Sequence, residues 1–508
     1  MLFNSYEFIF AFLPITLAVF FFIGNRKKHN IAMSWLVLCS LFFYGWWNPS
    51  YLYLILFSMI FNYAVGMMLG NGGLQRTRKY ILAIGVAINL GLLGYYKYAN
   101  FFVKQVNEAF GSNYHLDTII LPLAISFFTF QQVAFLVDAY HHETKEYNFL
   151  HYCLFVTFFP QLIAGPIVHH GEMLPQFSRE SIFKFNYKHI SVGLFIFTIG
   201  LFKKVIFADH VSAYATPVFS AAEIHASLTF FEAWGGALAY TLQLYFDFSG
   251  YSDMAIGIAY MFGIKIPINF NSPYKSANII EFWRRWHITL SRFLRDYLYF
   301  ALGGNRKGKF RRYMNLFLTM FLGGIWHGAG WTFILWGMLH GIYLIINHIW
   351  RKIRFEILKC SKETGLFETI TARTITLLAV IIGWVYFRAE TVSGANHLVV
   401  TMFGGNGISL PTGLRSVFGD KLEGLGIVFK GMFGGSSANF GEGMVWIAFL
   451  SIIAIAAPNS QQFISPAYQK TILRINRKIP VFGIFLGTAL YYIFINLGSK
   501  AEFLYFNF

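Results

Sequence analysis

Long runs of apolar residues alternate with short clusters of charge along the whole chain. Runs of about 20 apolar residues match a hydrocarbon core of roughly 30 Å, since a helix rises 1.5 Å per residue. The pattern predicts an all-α polytopic membrane protein with roughly 11–13 transmembrane helices plus amphipathic and re-entrant helices. The candidate spans are 8–24, 30–48, 51–70, 80–96, 118–137, 149–168, 190–207, 230–262, 313–350, 372–388, 443–458 and 479–499.

Composition strengthens this prediction. Of the 508 residues, 56% are hydrophobic and 12% are charged, about half the charged fraction of an average soluble protein. The net charge of +17 comes from basic residues beside apolar spans, so anionic lipid explains it and nucleic acid is not an expected partner. The three cysteines are scattered and form neither a disulfide framework nor a zinc motif.

Charge also sets the predicted topology. Basic clusters at 26–28 and 76–79 lie two crossings apart, and the positive-inside rule places both in the cytoplasm. The N-terminus is then predicted outside. Because the first residues lack a signal-peptide pattern, we interpret them as part of the first membrane span. A further cluster at 470–478 precedes an uncharged span at 479–499, so the tail 500–508 is predicted outside.

Three regions follow from these spans: a core bundle over 1–390, a glycine-rich extracytoplasmic loop over 391–442, and C-terminal helices with an aromatic tail over 443–508. No internal repeat of fixed period is visible, which disfavours the repeat-built transporter folds.

Residues 313–350 form a long run without Asp, Glu, Lys or Arg. This charge-free run contains GGIWHGAGW, with His327 at the centre of the motif. One straight helix over this run would measure roughly 57 Å, well beyond the core thickness. Because basic clusters bound both ends, we predict a hairpin or a broken helix, with the break at Gly323, Gly324, Gly328 and Gly330. Irregular backbone at that depth must be buried or line a wet cavity. His327 is therefore either a structural histidine or a functional one facing a cavity.

The remaining histidines are weaker candidates. His340 and His348 lie in the same run, and the Trp and Phe residues around them are interpreted as packing. The pairs 141–142 and 169–170 are expected to diverge on helices, so no metal site is predicted. GxSxG, HExxH and P-loop motifs are absent from the sequence, which disfavours serine hydrolase, zinc and ATP-driven chemistry.

A second group of polar residues lies in EFWRRWHITLSRFLRDY, residues 281–297. As one helix it would place Arg284, His287, Ser291 and Arg295 on a single face, with His287 at the polar border. From Arg284 to Arg312 the chain carries nine basic residues and one acid. The region is either an interfacial helix on anionic lipid or a cytoplasmic binding site for a phosphate-bearing acyl donor. In the second case the donor-binding residues are Arg284, Arg285, Arg292, Arg306 and Lys307.

Several motifs together resemble the membrane-bound O-acyltransferase superfamily, in its bacterial alginate and peptidoglycan O-acetyltransferase branch. They occur collinearly across most of residues 1–390, in the order LGYYKYANFF, LPLAISFFTFQ, FFPQLIAGPI, QLYFDFSGYSDMAIG, NFNSPYKSANIIEFWRRWHITLSRFLRDYLY, GGNRKG and GGIWHGAGWTFILWGMLHG.

The resemblance implies a helical bundle with cytoplasmic and outer funnels in a bacterial inner membrane. It implies that His327 is catalytic, that His287 acts in donor binding or catalysis, and that acetyl-CoA enters from the cytoplasm. It also implies that the C-terminal EFLYFNF carries the acyl group on Tyr505; the alternative is an aromatic anchor at the membrane interface. The implied partner is an extracytoplasmic SGNH-hydrolase-like acetyltransferase acting on a polysaccharide.

Other functions stay open on sequence grounds. A transporter or channel would also bury histidines, a lipid or protein O-acyltransferase would share the histidine motif, and a scaffold would tolerate the loss of His327. The sequence does not distinguish alginate, peptidoglycan or another polysaccharide as the acceptor.

Overall fold

The computed structural model describes residues 1–70, 74–143, 148–361, 365–424, 426–431, 440–464, 479–497 and 503–504. Tyr505 and the basic cluster 470–478 lie outside the described residues. Within these ranges the regular secondary structure is helical apart from two three-residue strands, β1 (Ser409–Pro411) and β2 (Val428–Lys430), which pair in parallel. The predicted all-α class is confirmed.

Twenty α-helices make up most of the described chain. In chain order they are α1 (Leu13–Asn25), α2 (His29–Gly45), α3 (Tyr51–Gly70), α4 (Gln75–Phe110), α5 (Ile125–Tyr140), α6 (Phe149–Thr157), α7 (Phe159–Leu162), α8 (His170–Phe177), α9 (Tyr187–Phe202), α10 (Asp209–Glu223), α11 (Phe230–Met261), α12 (Ile279–Arg285), α13 (Ile288–Phe293), α14 (Gly308–His327), α15 (Trp331–Lys352), α16 (Leu366–Arg388), α17 (Val392–Met402), α18 (Arg415–Glu423), α19 (Phe440–Ala456) and α20 (Ile479–Asn496).

Short segments of other helix types adjoin these helices. Those of π type are Glu7–Phe12, Lys203–Ala208, Leu294–Tyr299 and Ile353–Ile357. Those of 3-10 type are Glu180–Phe183, Pro273–Lys275, Thr412–Leu414 and Ser460–Ile464.

Seven helical segments of the described chain are long and apolar enough to cross a membrane: Glu7–Asn25, Tyr51–Gly70, Gln75–Phe110, Tyr187–Glu223, Trp331–Ile357, Leu366–Arg388 and Phe440–Gln462. The predicted span at 149–168 is wrong as a single helix, because α6 ends at Thr157 and the four-residue α7 follows. Phe158 between the two helices has a non-helical ψ of 106°. Pro160, in the first turn of α7, lacks the N–H that a continuous helix would bond to Val156, which explains the break.

The chain divides into two compact units. The first contains the described residues of Met1–Phe202, Gly250–Asn269 and Phe463–Asn507. In it, α9 packs closely on the end of α11 through glycines: a Cβ on Gly193 would lie 2.5 Å from the Gly257 oxygen, and one on Gly200 would lie 2.5 Å from the Gly250 oxygen. Small residues therefore allow two membrane helices to meet backbone to backbone.

The same unit corrects one expectation about adjacent histidines. His169 and His170 do not diverge, because their Nδ1 atoms lie 3.9 and 3.1 Å from the same Asp138 Oδ2. His169 has extended backbone before α8 begins at His170, so the helical geometry behind the expectation does not apply to the pair.

The second unit contains Lys203–Ser249 and the described residues of Phe270–Gln462. Its core includes a buried cation: Lys204 Nζ lies 2.6 Å from Asp209 Oδ1 and 2.7 Å from Asp247 Oδ1. The predicted glycine-rich loop over 391–442 holds α17, α18 and the strand pair. Lys430 Nζ of β2 lies 3.0 Å from Oε2 of the buried Glu232, near the start of α11. All candidate site residues from Arg284 to His327 belong to this unit.

Candidate active site

The charge-free run 313–350 forms a helical hairpin, which is one of the two predicted alternatives. His327 is the last residue of α14, and Trp331 begins α15 after a turn in which Gly328 and Gly330 have extended backbone. The break therefore lies at Gly328–Gly330. The prediction that Gly323 and Gly324 also belong to the break is wrong, because both lie inside α14.

Gly324 instead holds the two arms of the hairpin together. A Cβ on Gly324 would lie 2.5 Å from the Phe333 oxygen and 3.0 Å from the Gly337 Cα. A Cβ on Gly337 would in turn lie 2.5 Å from the Met320 oxygen. Glycines on facing turns thus allow close backbone contact, which fixes the end of α14, and with it His327, against α15.

His327 is buried in an aromatic setting. Its ring contacts Trp336 at 4.9 Å between centroids with planes at 90°, Phe387 at 5.1 Å and Trp326 at 4.9 Å. Trp336 comes from α15 and Phe387 from α16, so three helices position one imidazole. This arrangement holds a potential proton acceptor in a defined orientation away from bulk water.

The ring of His340 also packs on Trp336, and the two ring centroids are 5.0 Å apart. The Nε1–H of Trp283 donates to His340 Nδ1 at 3.3 Å, which ties α12 to α15. Both side chains are buried, His340 completely. On sequence, His340 is only a weaker candidate and Trp336 is interpreted as packing. No local pattern predicts the hydrogen bond between Trp283 and His340.

His287 does not lie at a polar border. It is 1% exposed, and its ring packs edge to face on Phe248 with centroids 4.8 Å apart. His287 lies outside the seven helical segments that could cross a membrane. Burial of its side chain lowers its pKa to about 3. The imidazole is therefore neutral at physiological pH.

The single helix predicted over 281–297 is also wrong. The helix breaks at Trp286, which is extended, and at His287, which has the left-handed φ of 42°. Trp286 packs on Phe270 at 5.0 Å and on Trp384 at 4.8 Å. These tertiary contacts outweigh local helix propensity, and the periodicity of 281–297 carries no information about them.

Both candidate histidines border one continuous aromatic cluster. Successive ring contacts of 4.8, 4.9, 5.0, 4.8, 5.9 and 4.9 Å join His287, Phe248, Phe270, Trp286, Trp384, Trp336 and His327 in that order. The structure therefore builds both histidine sites into one packed core.

The candidate donor-binding arginines differ in their surroundings. Arg284 is exposed and Arg292 half-buried. Arg285 Nη2 lies 2.8 Å from Glu281 Oε1, and its Nη1 donates to the Asn271 carbonyl at 3.3 Å. Part of the guanidinium of Arg285 is thus already engaged within the protein, whereas Arg284 projects outward.

Arg306 and Lys307 are exposed in the GGNRKG turn between the Leu294–Tyr299 segment and α14. Gly303 and Gly304 have φ of 103° and 54°, in the left-handed region that favours glycine. The Nδ2–H of Asn315 donates to the Gly304 carbonyl at 3.0 Å and anchors the turn to α14. The turn therefore presents two cations from a fixed backbone.

The acceptor candidate Tyr505 lies outside the described residues, but the neighbouring Phe503 is described. Phe503 is buried and packs edge to face on Tyr251 at 4.7 Å, within the first unit.

Comparisons with known proteins identify the family to which this helical membrane bundle belongs. Residues 47–355 match the profile of the membrane-bound O-acyltransferase family. The chain is 46% identical over 440 residues to a peptidoglycan O-acetyltransferase of Helicobacter pylori, covering 81% of each chain.

Two further relatives carry different names. A probable alginate O-acetylase AlgI of Pseudomonas aeruginosa is 42% identical over 411 residues, which cover 79% of this chain and 75% of that protein. A teichoic acid D-alanyltransferase of Bacillus subtilis is 31% identical over 287 residues, which cover 54% of this chain and 70% of that protein. The chain belongs to the membrane-bound O-acyltransferase family.

Proposed function

We propose that this protein is an O-acetyltransferase of a bacterial inner membrane that takes acetyl groups from cytoplasmic acetyl-CoA for the O-acetylation of a cell-envelope or exported polysaccharide. The observation that carries the proposal is the buried His327 at the turn of a closely packed helical hairpin. The relatives at 46% and 42% identity are both named for O-acetylation, one of peptidoglycan and one of alginate.

His327 is the proposed general base. A neutral imidazole, with an ordinary pKa of about 6.5, accepts the proton of an attacking hydroxyl. The hydroxyl oxygen bonds to the thioester carbonyl carbon, the carbon–sulfur bond breaks, and the imidazolium returns the proton to the departing thiolate. The products are an ester and free CoA thiol.

The proposed first acceptor is Tyr505, in the tail predicted to lie outside. A phenol has a pKa near 10, so it is deprotonated far more readily than a sugar hydroxyl, and the aryl acetate it forms stays reactive enough to pass the acetyl group on. The proposed recipient is an SGNH-hydrolase-like acetyltransferase outside the membrane, which acetylates the polysaccharide.

Arg306 and Lys307, with Arg284, Arg285 and Arg292, are the proposed binding residues for the phosphates of acetyl-CoA. Exposed guanidinium and ammonium groups on a glycine-fixed turn suit a multiply charged ligand. The role of His287 is proposed to be structural support of the donor site, since its buried neutral ring packs on Phe248.

The test is release of CoA thiol by purified protein in lipid vesicles, compared among the parent, His327→Ala and His141→Ala. His141 is an exposed histidine at the end of α5 and serves as the control. Thiol release by the parent and by His141→Ala, but not by His327→Ala, is expected. No release by the parent, even with its extracytoplasmic partner, would overturn the proposal in favour of a transporter or of a different acyl donor.

A further inference from the structure

An apolar groove lies between the first two helices of the chain, within the first unit. One wall is formed by the π segment Glu7–Phe12 with the start of α1, and the other by α2. The groove has a volume of about 460 Å³, which is in the range of roughly 300–1,000 Å³ that small-ligand sites occupy. It shares no residue with the candidate active site around His327. The groove is therefore large enough to hold a ligand of its own.

Helical spacing places the lining side chains on one face of each helix. On the first wall Ala11 lies between Glu7 and Ile15, which are each four residues away. The second wall repeats every three or four residues, at Trp35, Leu38, Cys39, Phe42 and Trp46. Because the side chain of Ala11 is only a methyl group, the first wall is recessed between two larger side chains, and this recess contributes to the groove.

The groove opens on the outer surface of the helix pair. Its lining residues Ile15, Leu38 and Phe42 are exposed, whereas Phe12 and Cys39 are buried and form its floor. On a helix long and apolar enough to cross a membrane, exposed apolar side chains face lipid. The medium that reaches the groove is therefore hydrocarbon and not water.

The groove extends over half of a membrane span. Most lining residues fall within 7–16 and 35–46, and ten helical residues extend about 15 Å at 1.5 Å per residue. Thr16 is at the centre of the candidate span Glu7–Asn25, so the groove runs from one end of this span to its middle. The length is half of a hydrocarbon core of roughly 30 Å. It therefore matches the depth of one lipid leaflet.

The groove is too narrow for another helix. A volume of about 460 Å³ spread over about 15 Å gives a mean cross-section of about 30 Å², whereas an α-helix with its side chains is roughly 10–12 Å in diameter. A single hydrocarbon chain, whose carbon atoms contact their neighbours at about 4 Å, fits this width. The helix α20 contacts other residues: Tyr6 Oη donates to the Phe494 carbonyl at 2.9 Å, and Phe10 packs on Phe494. One extended acyl chain is therefore a better occupant than a helix of this chain or of a second copy.

The two ends of the groove differ in polarity. At mid-span the Nε1–H of Trp35 donates to the Thr16 carbonyl at 3.2 Å, so the polar group of this tryptophan is bonded within the protein. At the other end Glu7 is exposed, and it is the one charged side chain among the described residues that line the groove. Trp46 lines the same end and is exposed, as tryptophans at a membrane interface commonly are. This end therefore combines an interfacial aromatic residue with a negative charge.

We propose that the groove binds one acyl chain of a phospholipid whose headgroup carries an ammonium group, such as phosphatidylethanolamine. The acyl chain lies along the groove from the interface to the middle of the span, and the ammonium group donates to the carboxylate of Glu7. An anionic phospholipid such as phosphatidylglycerol lacks the ammonium group and is repelled by Glu7. In the topology predicted from the basic clusters, this lipid belongs to the outer leaflet. The site is independent of the proposed acetyl transfer.

The test uses the full chain in vesicles that contain phosphatidylethanolamine with a photoreactive diazirine near the end of one acyl chain. After illumination, mass spectrometry maps the labelled residues. Labelling concentrated at Thr16 and Trp35 is expected, and Ala11→Phe, which fills the groove, is expected to lower it about tenfold. Ala18→Phe adds the same ring at an exposed position outside the groove and should keep the parental level. Groove labelling no higher than that of the exposed Ile60 on α3, and unchanged by Ala11→Phe, would overturn the proposal and leave ordinary lipid contact only.

A headgroup variant tests the role of Glu7 without filling the groove. The labelling is repeated with the diazirine on phosphatidylglycerol, and the ratio of groove labelling by the two lipids measures the preference. Glu7→Gln is expected to lower the preference for phosphatidylethanolamine roughly two- to fivefold, whereas Glu108→Gln, which changes an exposed acid of α4, should keep it. Equal labelling of the parent by both lipids would overturn the ammonium-specific site.

Discussion

The imidazole of His327 meets the indole of Trp336 edge to face, with ring centroids 4.9 Å apart and planes at 90°. The contact joins the end of one hairpin arm to the second turn of the other. The orientation of the proposed base therefore depends on how closely α14 and α15 pack, and that packing depends on glycine.

Gly324 and Gly323 form a matched pair for testing this dependence. Gly324→Ala would place a methyl 2.5 Å from a backbone oxygen, whereas Gly323→Ala meets only Leu294 Cδ1, at 3.3 Å. We expect Gly324→Ala to lower the free energy of unfolding by about 1–3 kcal/mol and to reduce acetyl-CoA turnover. Thermal unfolding in detergent and thiol release measure the two effects; equal behaviour of the two variants would contradict the close-packing account.

Burial of His287 predicts a pH dependence of stability. Its pKa is about 3 in the folded protein and about 6.5 when unfolded, so between these values the unfolded state binds the extra proton. The contribution to stability is full above pH 6.5 and is lost as the pH falls towards 3.

From pH 6.5 to 5 this effect amounts to about 2 kcal/mol. We expect the unfolding temperature of the parent to fall more over this interval than that of His287→Gln, which cannot titrate. Unfolding scans at the two pH values decide the point, and parallel decreases in both proteins would show that other groups cause the acid sensitivity.

The GGNRKG turn predicts an electrostatic contribution to donor binding. Replacing Arg306 and Lys307 together by Gln is expected to raise the KM for acetyl-CoA roughly five- to tenfold, where tenfold corresponds to 1.4 kcal/mol, and to weaken its dependence on salt. The kcat should change little. Lys104→Gln removes a different exposed cation and is the control; an equal rise in its KM would indicate a general charge effect.

The buried triad of Lys204, Asp209 and Asp247 predicts a strong and specific instability. Lys204→Met leaves two carboxylates without their cation in the core, and removal of one partner from such a group costs about 3–5 kcal/mol. Adding Asp209→Asn and Asp247→Asn to Lys204→Met should restore much of the lost stability. Yield and unfolding temperature measure both variants, and a triple variant no better than Lys204→Met would contradict the charge argument.

Local patterns predicted much of this fold because membrane helices need long apolar runs. A hairpin around His327 is one of the two predicted alternatives, because a single helix over 313–350 would be longer than the hydrocarbon core is thick. The break at Trp286–His287 could not be predicted in this way, because it depends on packing against Phe270 and Trp384, which are far from each other along the chain.

Polar partners in the core were also beyond sequence periodicity. Lys204 and Asp247 belong to different helical segments, and no local pattern joins them. The pairing of Trp283 with His340 is similar, since 57 residues separate the donor from the acceptor. In both cases only the tertiary structure identifies the partner.

The most direct test of the proposed route of the acetyl group is the mass of the C-terminal peptide after the purified protein is incubated with acetyl-CoA. The parent, His327→Ala and Tyr505→Phe are compared. An added acetyl group on Tyr505 in the parent, absent from both variants, is the predicted result. Consumption of acetyl-CoA by the parent without any acetyl on that peptide would contradict the relay and indicate direct transfer from the thioester to the partner or the polysaccharide.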